Sequence, residues 1–133
     1  AFTASLFLTP DPDRAAEESR RALRPGGTVG AVAPLGWTTA DGGDVFGPLS
    51  RESRSPSGAA AVEAALASAF EIETGTWSFE TTPEALRTFH AVPAMAARLY
   101  PRLETEERIA RAKELLEDVE GALEQRWRWF VGV

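Results

Sequence analysis

Cysteine is absent from the 133 residues, and histidine occurs once, as His90. Without cysteine there is no disulfide, no thiolate metal site and no thiol nucleophile. One imidazole and no thiol leave no metal-ligand constellation to build. No apolar run reaches the length of a bilayer span, and no secretory leader pattern is visible. A reducing, cytoplasmic setting is therefore expected. Lysine is almost missing too: Lys113 stands alone, so nearly all positive charge is arginine. The net charge of −6 and a pI near 4.8 argue against a nucleic-acid surface, which needs clustered basic residues. The arginines are dispersed and form no phosphate-binding cluster, and no serine sits in a nucleophile-elbow sequence.

Hydrophobic residues at 44% and charged ones at 26% are ordinary for a globular chain. The length suits one domain, residues 1–133, with a core of its own. The organising stretch is Arg24-Pro25-Gly26-Gly27-Thr28-Val29-Gly30-Ala31-Val32-Ala33. Proline cannot continue the preceding helix, and glycine permits the left-handed turn that reverses the chain. The short uncharged run that follows, closed by Pro34, suits a strand covered on both faces, as in a parallel sheet. A similar run, Ala4-Ser5-Leu6-Phe7-Leu8, precedes the helix. Asp11-Pro12-Asp13 is a helix start, with aspartate as cap and proline at the first helical position. Glu17 is spaced to pair with Arg21 at i,i+4. The unit reads strand, helix, tight turn, parallel strand, and the fold class is α/β.

Further along, residues 35–57 lose periodicity but keep the anchors Trp37, Val45, Phe46 and Leu49, the pattern of a lid or binding loop. Residues 59–69 have helical spacing of apolar positions, and 70–79 alternate as a strand. Thr82-Pro83-Glu84 repeats the cap, proline and acid pattern, and 94–100 is a short helix between prolines. The longest helix starts at Thr105 with a stripe from Ile109 to Leu123. Trp127, Trp129, Val131 and Val133 then alternate, so 127–133 is a strand whose tryptophans are expected in the core. The chain opens at Ala1 directly onto one apolar strand and closes at Val133 inside another, which is expected of a piece of a longer protein.

Ser5-Leu6-Phe7-Leu8-Thr9-Pro10-Asp11-Pro12, followed by Arg20-Arg21-Ala22-Leu23-Arg24-Pro25-Gly26-Gly27, resembles the second half of a class I S-adenosylmethionine-dependent methyltransferase of the small-molecule type. Leu66-Ala67-Ser68-Ala69-Phe70-Glu71-Ile72, Thr82-Pro83-Glu84-Ala85-Leu86 and Trp129-Phe130-Val131-Gly132-Val133 extend the resemblance over nearly the whole chain. It implies a partial Rossmann-like sheet carrying the family's strands 4 to 7, at 2–8, 29–33, 70–79 and 127–133. The last strand should be antiparallel and lie between the second and third. Lid segments would fall near 35–57 and 83–125. The family's first strand, its Gly-x-Gly loop and its acidic ribose ligand are absent from this sequence. Gly42-Gly43-Asp44-Val45-Phe46-Gly47 does not replace the loop, because it lacks the spacing and the strand-to-helix setting.

By the resemblance, Ser5, Leu6 and Phe7 would lie beside the cofactor, S-adenosyl-L-methionine. Trp37 and Phe89 would face a small-molecule acceptor. His90 is the candidate general base, the alternative being a lid-packing histidine. The activity implied is methyl transfer to a small organic acceptor, inactive without the N-terminal half. The competing expectation is a non-catalytic binding or assembly module. In either case residues 2–8, apolar on both faces, are expected to pair with the missing half or with a second copy, and neither nucleic acid nor membrane is expected as a partner.

Overall fold

A computed structural model describes residues 1–49 and 58–133. Its strands are β1 (Phe2–Thr3), β2 (Val29–Thr39), β3 (Ile72–Thr81) and β4 (Leu123–Gly132). The helices are α1 (Pro12–Ala22), α2 (Gly58–Ala69), α3 (Pro83–His90), α4 (Pro93–Leu99) and α5 (Thr105–Leu115), and Leu6–Leu8 form a 3₁₀ turn. The sheet order is β1-β2-β4-β3. β1 and β2 are parallel, with Phe2 opposite Ala31 and Thr3 opposite Val32. At the β3–β4 pair, Glu71 and Val133 exchange both backbone hydrogen bonds, at 3.2 and 3.0 Å. That reciprocal exchange identifies an antiparallel ladder. The fold is thus α/β with a four-stranded mixed sheet, and the last strand lies between the second and third.

The chain forms two compact units. The first comprises Ala1–Gly36, Pro56–Ser78 and Arg126–Val133; the second comprises Trp37–Ser55 and Phe79–Gln125. In the first, α1 begins as expected: Asp11 Oδ1 accepts the Arg14 N–H at 3.0 Å, with Pro12 in the first turn. It ends at the proline–glycine turn, where Gly26 takes φ 77° and the Gly27 N–H donates to Arg24 O at 2.8 Å. A methyl group on Gly27 would meet Arg24 O at 2.9 Å, so the second glycine is required by space. The ion pair on this helix is Glu18 with Arg21, at 2.8 Å and i,i+3, rather than the expected Glu17. α1 packs on α2, and α2 covers the 3₁₀ turn, with Gly58 pressed against the Phe7 ring.

The expected strand over residues 2–8 is corrected: only Phe2–Thr3 pair with β2. Ala4 takes a left-handed backbone (φ 52°), which an alanine adopts at a cost and which ends the ladder. Leu8 N–H then bonds Ser5 O at 2.9 Å, winding the chain into the 3₁₀ turn. The turn buries Leu6 and Phe7 together, which a flat strand would have placed on opposite faces. The open edge expected along this segment is therefore two residues long.

Three further boundaries move. β2 continues through Pro34 to Thr39. Its even-numbered residues turn their backbone groups toward β1, as Val32 O accepting from Ala4 N–H shows. The N–H that Pro34 lacks falls where β1 has already ended, so the proline breaks no ladder bond. The long helix stops at Leu115, and after Gly121 (φ 82°) redirects the chain Leu123 opens β4. Arg87 Nη1 takes up the carbonyls of Leu116 and Val119, both at 3.3 Å, after that stop. The lid expected over 35–57 is described only to Leu49, and residues 50–57 lie outside the described residues.

Trp127 and Trp129 are half-buried, a correction to the expected core placement. In the first unit the buried β4 residues have the other parity, Phe130 and Gly132, while Arg128 reaches Glu63 of α2 at 2.6 Å. Trp127 stacks on Trp77 across the ladder, with centroids 6.0 Å apart and planes 19° from parallel. Trp129 lies against Gly75, where an added Cβ would sit 2.5 Å from indole atoms. Gly75→Ala is expected to push that ring off the sheet and destabilise the protein by about 1–3 kcal/mol. Urea unfolding measures this, and an unchanged midpoint would mean that Trp129 is not seated on Gly75.

Candidate functional site

In the second unit, residues from the end of β2 meet α3. Val45 N–H donates to Trp37 O at 3.0 Å, and Thr38 and Asp44 form an antiparallel bridge, so Trp37 is held by a short hairpin. The hairpin tip is closed by Asp41, whose carboxylate accepts the Thr39 hydroxyl and the Gly43 N–H. Those bonds, the Thr39 hydroxyl first, hold the Asp41 carboxyl below its ordinary value of 3.8.

α3 begins with Thr82, whose hydroxyl oxygen accepts the Ala85 N–H at 3.2 Å, and with Pro83 in its first turn. The helix places Leu86 and His90 one above the other on its buried face. Leu86 joins Trp37, Val45, Leu116 and Leu123 in one apolar cluster, bordered by Phe46 and Phe89.

His90 lies inside an aromatic cage. Ring centroids stand 4.9 Å away for Phe46, 5.1 Å for Phe89 and 5.9 Å for Trp37. Trp37 and Phe89 are themselves 5.7 Å apart. The imidazole is 5% exposed, and its Nδ1 lies 2.9 Å from Leu86 O. A carbonyl only accepts, so Nδ1 carries the proton in this pair. The candidate base is thus built into the cage as a packed ring.

Beside the cage is a pocket of about 510 Å³. Trp37, Phe79 and Phe89 give it aromatic walls, Thr81 and Thr88 supply hydroxyls, and Gln125 adds a carboxamide. His90 is not among the lining residues. The structure therefore brings the two expected acceptor-facing residues, Trp37 and Phe89, to one pocket and sets His90 behind them.

Ser5, Leu6 and Phe7 belong to the first unit. Leu6 and Phe7 are buried there, and Ser5 is exposed. Tested as a cradle for S-adenosylmethionine, this stretch offers one serine and backbone, because its two apolar side chains are spent on the core. It does not make a cofactor site by itself. Among the described residues no group of three or more His, Asp or Glu side chains could hold a metal ion, and no helix is long and apolar enough to cross a membrane.

Phe79 and Gln125 were not singled out by the sequence. The register that sets Glu71 against Val133 and Trp77 against Trp127 also sets Phe79 across from Gln125. Extending the Trp127–Trp129 alternation two residues back would have found Gln125. No known protein family and no curated protein matches the chain.

Two outcomes follow. His90→Ala should cost about 2–4 kcal/mol, from the cavity and the lost Leu86 bond, measured by chemical unfolding; a loss below about 0.5 kcal/mol would place the ring outside the core. The Asp41 contribution has the sign of a depressed carboxyl: it is present above the unfolded pKa and lost as pH falls through the folded one. Carbon-detected NMR titration should show Asp41 below 3.8, rising toward it in Thr39→Val while the Gly43 N–H still holds it down; an unshifted wild-type carboxyl would contradict the hairpin cap.

Proposed function

We propose that this chain is the acceptor-side part of an S-adenosylmethionine-dependent methyltransferase that acts on a small apolar or aromatic molecule. The observation that carries the reading is the strand order β1-β2-β4-β3, with the last strand inserted between its two predecessors and antiparallel to β3. Support also comes from the helix-to-strand turn at Arg24-Pro25-Gly26-Gly27 and from the proline-started helix α3. The aromatic pocket of the second unit would receive the acceptor, with Trp37 and Phe89 orienting a flat substrate by ring contact. S-adenosylmethionine would supply the electrophilic methyl group. Its glycine-rich loop and ribose carboxylate lie outside these 133 residues, and would come from an N-terminal half of the same or another polypeptide.

The second reading, a non-catalytic binding module, is favoured by one observation: Leu6 and Phe7 are committed to the core. Both readings expect the isolated chain to show no measurable S-adenosylmethionine binding by calorimetry, and micromolar affinity would overturn the division of labour. They separate in a polypeptide where a Gly-x-Gly-bearing half precedes Ala1. Release of S-adenosylhomocysteine with an aromatic acceptor is the result expected of the methyltransferase. Its absence across aromatic alcohols, amines and acids would leave the binding module.

A further inference from the structure

Gln125 is 5% exposed, and its Nε2 has no hydrogen-bond partner among the described residues. Folded proteins pair nearly all such groups, since a buried amide stripped of water and given no acceptor opposes folding. The residue also lines the aromatic pocket of the second unit. Its neighbours along β4 do different work: Leu123 joins the apolar cluster, and Glu124 is only half-buried. A leucine at 125 would satisfy the packing without the unpaired amide. The carboxamide is thus out of place for the core and well placed for a ligand.

Across the ladder, Phe79 is 45% exposed although it is aromatic and also borders the pocket. One wall therefore combines an uncovered ring with the side chain that carries the buried, unpaired donor, and Trp37 and Phe89 stand on the same pocket. No lysine or arginine is among the lining residues and Glu84 is, so an anionic group meets a carboxylate and no cation there. A flat apolar body with a neutral oxygen acceptor matches this set.

We propose that Gln125 is the polar anchor of the pocket and that its ligands are aromatic carbonyl compounds. The ring lies against Phe79, Trp37 and Phe89, and the carbonyl oxygen accepts from Gln125 Nε2–H after a turn of the flexible side chain. This rests on the acceptor-pocket reading above and adds the substrate class to it. A pocket that holds a donor for the carbonyl rejects the analogue lacking it, because that analogue leaves the donor unpaired.

The test uses 1-tetralone and tetralin, one bicyclic skeleton with and without a carbonyl, titrated into the ¹⁵N-labelled chain. The Trp37 indole and Gln125 carboxamide resonances are followed. Both compounds should move Trp37, and tetralone should bind about tenfold more tightly, the worth of one hydrogen bond. Only tetralone should move the Gln125 carboxamide strongly downfield. Gln125→Leu, or Gln125→Met if the branched side chain packs badly, should bind the two compounds alike and melt no lower than the wild type. Equal affinities in the wild type, or a tetralone preference that survives the substitution, would overturn the anchor and leave the acceptor pocket standing. If neither compound moves Trp37, the pocket reading falls and the anchor with it. Methyl transfer plays no part in the readout, so failure of the catalytic reading registers separately.

Discussion

The bond from His90 Nδ1–H to Leu86 O, closed in by three aromatic rings, is the constraint on which the second unit depends. An imidazole can be buried only if its donor is satisfied, and the carbonyl one turn earlier in α3 does that locally. The ring then offers its faces to aromatic neighbours. Phe46, from beyond the hairpin, and Phe89, from the helix, meet on it, and Trp37 completes the contact. Remove the local acceptor and the histidine would seek water, opening the packing that positions Trp37 and Phe89. The pocket walls are therefore a consequence of a satisfied core histidine.

β4 shows how one strand serves two packing problems. Among its first residues Leu123 and Gln125 are buried; near its end Phe130 and Gly132 are. The buried positions are odd-numbered in the part of the strand that belongs to the second unit and even-numbered in the part that belongs to the first. That change of parity explains why tryptophans at alternate positions remain half-exposed, stacked on Trp77 and Gly75 of β3 rather than sealed in a core. Strand alternation is a reliable guide to burial only while the same face stays covered.

Much of the fold could be read from local chemistry. Asp11-Pro12 and Thr82-Pro83 start helices because a side-chain oxygen and a ring-fixed φ act within four residues of each other. The turn at Gly26-Gly27 and the order of the strands followed in the same way from the Pro-Gly-Gly signal and the resemblance it carries. What was not legible depended on tertiary contacts. Nothing in Ala4 announces a left-handed backbone, since alanine is neutral to most patterns. The apolar spacing from Ile109 to Leu123 is helical, yet Leu123 belongs to a strand, because a glycine two residues earlier turns the chain. Of the site, Trp37, Phe89 and His90 were visible as aromatics in segments expected to be lids. Gln125 was hidden between an overextended helix and a strand begun too late.

The central claim is that His90 is a packing ring fixed by its own helix. Long-range ¹H–¹⁵N correlation of the His90 ring measures this directly, because it reports which nitrogen holds the proton. The account predicts a proton on Nδ1, protected from exchange by its bond to Leu86 O. An Nε2–H tautomer, or fast averaging between the two, would contradict it.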